Sequence, residues 1–213
     1  MSEKEAYLNY LDTFFTKWIK YYDLFSASIF NVYNACVKEL DLKSSDQLLD
    51  ICTGTGEISI RAAKSGAKLT AIDITEVMIN QAKLKAEKQK LNIDFQIQDA
   101  RNLPYPDNTF NKVCIGNALH DMPRKVRVQV LKEAYRVCSE KLVIVDYDLW
   151  NNKYLFTLAL NLINIFETAY FKSYANEGIG PLLEEAGIKK DTMKTNRVWP
   201  NLFSVHTLQK SST

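Results

Sequence analysis

The 213-residue sequence is short of histidine, glycine and proline, with 2 His, 7 Gly and 5 Pro, and each shortage closes off a class of protein. Two histidines and four scattered cysteines, Cys36, Cys52, Cys114 and Cys138, contain no C-x-x-C pair and no zinc-ligand spacing, so no metal is expected. Those cysteines sit inside apolar runs and read as reduced core thiols of a cytoplasmic protein. No Pro/Gly/Ser-rich linker, low-complexity run or internal repeat divides the chain, which predicts one domain. Charge of one sign is also missing: 27 basic and 25 acidic residues leave a net charge of +2. A protein that tracks nucleic-acid phosphates needs a large basic excess, so no nucleic-acid partner is expected. MSEKEAYLNY lacks the apolar centre of a signal peptide. The longest greasy stretch, YLFTLALNLINIF (154–166), is interrupted by Asn161 and Asn164 and falls short of the ~20 residues that span a bilayer. It reads as a buried helix, with a roof over an apolar pocket as the alternative, to which Glu167, Tyr170 and Tyr174 would add polar contacts.

What is present is a change of period. Through 7–40, Trp18, Tyr21, Tyr22, Phe25, Ile29, Tyr33 and Val37 recur at gaps of three and four, the spacing of helices with an aromatic face and a break near Asp23 and Ser26. From Gln47 the pattern turns to apolar strands (QLLDIC, KLTAID, IDFQIQ, FNKVCIG, KLVIVDYD) separated by helical segments, one of them N-capped by Thr75. Alternation of this length means βαβ units and a parallel sheet with helices on both faces. VWPNLFSVHTLQ supplies two β-rich pieces for an antiparallel edge hairpin. The expected fold is α/β: a Rossmann-like, mostly parallel seven-stranded sheet. Residues 1–43 form a helical cap, 44–150 a cofactor-binding core, and 151–213 substrate-covering helices and C-terminal strands.

In such a sheet, ligands sit beyond the carboxyl ends of the strands. The first loop there is Asp50-Ile51-Cys52-Thr53-Gly54-Thr55-Gly56, whose glycines let backbone approach a ligand closely. Asp73 ends the second strand, where a carboxylate accepts both hydroxyls of a ribose. Asp99-Ala100 closes the third, where a carboxylate accepts from an adenine amino group. Asn117 follows the fourth. A dinucleotide site wants G-x-G-x-x-G, but Ser59 stands at the third position. Asp50 and Glu57 suit a sulfonium and an ammonium better than a pyrophosphate. His120 in NALHDMP is either a general base for the acceptor or a packing residue before Pro123, and Asp121 is a candidate cap for the helix that follows.

The ordered set LLDICTGTGE, LTAIDITEVMINQAK and QDARNLPYPDNTFNKV resembles the class I S-adenosylmethionine-dependent methyltransferases, nearest to the ubiquinone/menaquinone C-methyltransferase-like (methyltransferase type 11-like) branch. The resemblance runs over about 21–147, and it departs from the family in placing Cys52 where Gly is usual. It implies S-adenosylmethionine as cofactor. Asp50 would lie below the methionine moiety, lined by Cys52, Thr53, Gly54 and Gly56. Asp73 would hold the ribose, with Ile74 and Met78 beside the adenosine. Asp99 and Ala100 would flank the adenine with Arg101 nearby, Asn117 would contact the cofactor, and Tyr22 would be a lid residue at the methionine end. The function expected is in-line methyl transfer to a small apolar or aromatic molecule. Two rivals remain: a non-catalytic S-adenosylmethionine-binding sensor or scaffold, and an NAD-linked oxidoreductase.

Overall fold

The computed structural model describes residues 3–148, 168–199 and 202–210, with backbone alone for 3–5 and 22–26. Two helices, α1 (Glu3–Ser28) and α2 (Phe30–Leu40), precede the sheet. Then follow β1 (Gln47–Ile51), α3 (Glu57–Ala62), β2 (Lys68–Asp73), α4 (Glu76–Lys88), β3 (Asp94–Ile97) and β4 (Phe110–Gly116). After these come α5 (Arg124–Val137), β5 (Cys138–Tyr147), α6 (Phe171–Glu177), α7 (Ile179–Glu185), β6 (Met193–Val198) and β7 (Phe203–Gln209). The seven strands lie in the order β3-β2-β1-β4-β5-β7-β6. The first five pair in parallel, and β7 runs antiparallel to both β5 and β6. This is the Rossmann-like arrangement that the alternating pattern predicts, with the expected hairpin at one edge.

Its central strands are covered on both faces. Leu48, Leu49 and Ile51 of β1, Val113, Cys114 and Ile115 of β4, and Val143, Ile144 and Val145 of β5 have no exposed surface. That is why these segments read as continuous apolar runs rather than alternating ones. The edge strands differ: β3 has only 4 residues, and β6 exposes Lys194, Thr195 and Arg197. Among the described residues no helix is long and apolar enough to cross a membrane. The 154–166 stretch and Glu167 lie outside the described residues.

One local expectation is corrected and a second, Thr75 as N-cap, is met in position but not in its hydrogen bonding. Helix α1 runs straight through Asp23 and Ser26, and the chain leaves helical geometry at Ile29 (φ −110°, ψ 25°). A lone Asp or Ser costs a helix interior only tenths of a kcal/mol, too little to break it. Thr75 occupies the N-cap position of α4 but makes no side-chain bond into the helix; its hydroxyl donates back to Asp73 Oδ1 at 2.8 Å.

Gly116, the last residue of β4, packs under α3. A Cβ built there would collide with Cδ1 of Ile58 and touch Val145 Cγ1 at 3.6 Å. Gly116→Ala is expected to destabilise the chain by about 1–3 kcal/mol in urea unfolding through overpacking. Adding Ile58→Val, which removes the offending methyl, should recover about half of that loss. Simple additivity in the double variant would show that the clash is not the cause.

Candidate functional site

A cleft opens where β1 and β4 part. The two strands are in register as far as Ile51 beside Ile115. Beyond that point Thr53 N–H donates to Ile72 O of β2 at 2.9 Å, while Asn117 N–H donates to Val145 O of β5 at 2.7 Å. Each chain is thus drawn toward its outer neighbour, and the space between is left for a ligand. The turns that start this divergence sit at Cys52 (φ 56°) and Asn117 (φ 50°), both in the left-handed region. Asn tolerates that region; Cys is strained there by roughly 1–2 kcal/mol. Left-handed backbone is the physical reason why Gly suits the Cys52 position. Gly56 (φ 82°) then lets α3 lie close on α4: a Cβ there would meet Ala82 Cβ at 3.2 Å.

The cleft encloses about 660 Å³ including its open mouth. It brings together Cys52, Gly54, Asp73, Ile74, Met78, Asp99, Ala100, Arg101 and Asn117, residues expected there from sequence. Cys52 also borders a smaller adjoining cavity of about 270 Å³ with Asp50, Thr53, Thr55 and Glu57. Gly56 lines neither; it serves as the packing pivot just described. The side chain of Tyr22 lies outside the described residues.

The carboxylates are preorganised by the chain itself. Asp73 accepts from Gly54 N–H (2.9 Å) on one oxygen and from Thr75 N–H (3.0 Å) and the Thr75 hydroxyl (2.8 Å) on the other. Burial outweighs these donors and pushes its carboxyl pKa up. Asp99 is held in a two-pronged pair with Arg101, Nε to Oδ1 at 2.8 Å and the second guanidinium nitrogen to Oδ2 at 2.7 Å. Asp50 is 1% exposed and accepts from the hydroxyls of Thr53 and Ser59, each at 2.7 Å, and from the Cys114 thiol at 3.3 Å; burial raises its pKa as well. Ser59 at the third-glycine position is therefore the partner of a buried carboxylate. Glu57 is paired with Arg61 and Lys85, so its charge is already balanced within the chain.

Asn117 stands apart from these fixed groups. Neither its amide nitrogen nor its amide oxygen has a hydrogen-bond partner among the described residues, and both atoms are buried at the cleft wall. Leaving such groups unpaired costs on the order of 1–3 kcal/mol, which a ligand supplying a donor and an acceptor would recover. Burial pushes up the pKa of the Cys52 thiol and the Tyr7 phenol, so both stay protonated.

His120 is not in the cleft lining. Its ring is buried behind it, with Nδ1 2.6 Å from Asp146 Oδ1 and edge-on contacts to Tyr147, Phe171 and Tyr174. Asp121 does line the cleft, and the N-cap place of α5 belongs to Pro123, which corrects the capping expectation. Not expected from sequence were Tyr7, Leu11 and Phe15 of α1, which line the cleft together with Met122, Val126 and Val130. Their 7-11-15 spacing is one helix stripe, a signal that the richer aromatic run around Trp18 and Tyr21 hid. Tyr21 is in fact 63% exposed.

Residues 48–141 match the family model described as a methyltransferase domain. A demethylmenaquinone methyltransferase from Lactobacillus johnsonii is 38% identical over 105 residues, covering 47% of this chain and 42% of that protein. A ubiquinone/menaquinone biosynthesis C-methyltransferase from Cereibacter sphaeroides is 32% identical over 133 residues, 59% of this chain and 52% of that one. The chain thus spans about half the length of these relatives, or less. Among solved structures, a SAM dependent methyltransferase from Aquifex aeolicus superposes with a TM-score of 0.62 at 25% identity, over 82% of this chain and 88% of that one. Magnesium protoporphyrin IX methyltransferase from Synechocystis PCC 6803 shares the fold, with a TM-score of 0.71 at 14% identity over 96% and 100% of the two chains.

Cys52→Gly is expected to raise stability in urea by about 1 kcal/mol, by relieving left-handed strain. An unchanged or lower midpoint would mean that thiol packing outweighs the backbone term.

Proposed function

We propose, from a core that belongs to the class I S-adenosylmethionine-dependent methyltransferases on their ubiquinone/menaquinone C-methyltransferase-like branch, that the chain transfers a methyl group from that cofactor to a small apolar or aromatic molecule. The observation that carries this reading is the cleft at the parted strands, with a fixed Asp73 carboxylate, an Asn117 amide that has no partner among the described residues, and an apolar wall from α1. These residues fit the cofactor. Among the described residues Asp73 Oδ2 accepts one hydrogen bond, so it retains capacity for ribose hydroxyls. Ile74 and Met78 would lie beside the adenosine, Asp99, Ala100 and Arg101 around the adenine, and Asn117 against the amino-acid portion. Cys52, Thr53 and Gly54 would line the methionine end, above Asp50. When bound, the sulfonium supplies an activated methyl group.

What the protein adds is alignment and exclusion of water, and proximity alone contributes about 7–11 kcal/mol to such a displacement. In this reading residues 1–43 cap the core at 44–150, and 151–213 cover the acceptor. Leu11, Phe15, Met122, Val126 and Val130 give the acceptor an apolar surround, which supports an apolar molecule over a sugar or a free amino acid. The names of the quinone-modifying relatives point the same way. An NAD-linked reading is weakened by Ser59, whose hydroxyl is committed to Asp50 where the dinucleotide pattern needs glycine.

Calorimetry should show S-adenosylmethionine and its demethylated product binding in the micromolar range, and NAD not binding. Asp73→Ala should weaken cofactor binding at least about tenfold, since it also frees the Gly54 N–H (roughly 1.4 kcal/mol per factor of ten). Methyl transfer to any of a panel of apolar phenols and quinols would exclude the scaffold reading. Tight NAD binding, or cofactor binding untouched by Asp73→Ala, would overturn the proposal.

A further inference from the structure

Behind the cleft wall lies a chain of three polar side chains that packing alone does not require. Asp146, near the end of β5, accepts backbone N–H bonds from Leu119 (2.9 Å) and His120 (3.3 Å) on one oxygen and from Tyr147 (2.8 Å) on the other. With both oxygens engaged as acceptors, the proton in the 2.6 Å contact to His120 comes from Nδ1. That choice of tautomer turns the Nε2 lone pair of the neutral ring toward Asp121 Oδ2, 3.5 Å away. A lone pair facing a carboxylate is repulsive until a proton stands between them. The geometry therefore provides one proton position, with Asp121 on the cleft side and His120, 4% exposed, on the inner side.

Resting on the methyl-transfer reading, we propose that Asp121 takes the proton from a hydroxyl of an apolar acceptor in the cleft, and that His120 and Asp146 are positioning residues that hold this proton between Nε2 and the carboxylate. As the acceptor oxygen forms its bond to the methyl carbon, the sulfur–methyl bond breaks and its electron pair stays on sulfur, which becomes a neutral thioether. The hydroxyl proton moves to Asp121 and is shared with Nε2, leaving an imidazolium between two carboxylates, and it returns to water when product leaves.

Other cleft groups are otherwise committed. Asp99 is tied to Arg101, and Asp73 fixes the glycine loop at the adenosine end. Cys52 and Tyr7 are protonated by burial and Asn117 has no basic atom. The groups that face the three residues from neighbouring elements are Tyr7 of α1, Cys52, Arg127 of α5, Tyr147 of β5, Phe171 and Tyr174 of α6, and His206 of β7. Arg127 is the cation among them. Its Nε donates to Leu119 O at 2.9 Å, which holds the turn that carries His120 in place.

The test uses the full chain as wild type, Asp121→Asn and His120→Gln, with folding checked by thermal melts. S-adenosylmethionine affinity is measured first by calorimetry in all three, so that each is assayed at saturating cofactor. Loss of binding by the wild type itself would sink the methyl-transfer reading rather than this one. Nitrogen-15 NMR of the imidazole rings, with His206→Asn for assignment, should show a proton on His120 Nδ1 throughout. Nε2 should be protonated up to a higher pH in wild type than in Asp121→Asn. With 1-naphthol as acceptor, Asp121→Asn should lower kcat about 100-fold with KM within threefold, and His120→Gln about tenfold with an altered pH profile. Identical His120 titration in the two proteins, or 1-naphthol turnover by Asp121→Asn within threefold of wild type, would overturn the proposal.

Discussion

Two backbone hydrogen bonds that pull in opposite directions create the site. Thr53 N–H reaches outward to β2 and Asn117 N–H reaches outward to β5, so the adjacent strands β1 and β4 separate just past their last paired residues. In a parallel sheet no side chain closes that gap, because side chains project above and below the sheet and not along it. The candidate site is arranged around the opening. The left-handed turns at Cys52 and Asn117 aim the two loops apart, the glycine loop leads into α3, and α1 contributes Tyr7, Leu11 and Phe15 to the lining.

Preorganisation follows from the same geometry. The loop carboxylates are fixed by backbone or by a neighbouring cation, so a ligand meets acceptors whose positions are already set. Asp50 shows the cost of such order. A carboxylate with almost no exposed surface is tolerated only because two hydroxyls and a thiol surround it, one of them the Ser59 hydroxyl that displaces a dinucleotide glycine. Asn117 departs from this pattern, with both amide atoms buried and without a partner among the described residues, and such departures concentrate where a ligand completes the set.

Much of this was legible in the sequence. The strands β1, β2, β4 and β5 announce themselves because burial on both faces forces unbroken apolar runs, and α5 because nothing interrupts its helical period from Arg124 to Val137. The loop residues Gly54, Asp73, Asp99 and Asn117 could be placed because strand ends in a parallel sheet converge on one edge. The α1 wall was harder. Helical periodicity identifies a stripe but not the element that it faces, and Trp18 and Tyr21 formed a more conspicuous one than Tyr7, Leu11 and Phe15. Nor could sequence separate His120 from Asp121. They are adjacent in the chain, and only the 3₁₀ turn at Leu119–Asp121 decides that the acid lines the cleft while the ring turns inward.

The two ends of the sheet carry a further implication. Strand β3 is too short to template a long partner, and β6 dresses the opposite margin with Lys194 and Arg197. An incoming strand from a second copy would have to desolvate those cations or settle for a handful of backbone bonds, and neither makes a good seed. At these two margins the described sheet thus resists edge-to-edge propagation.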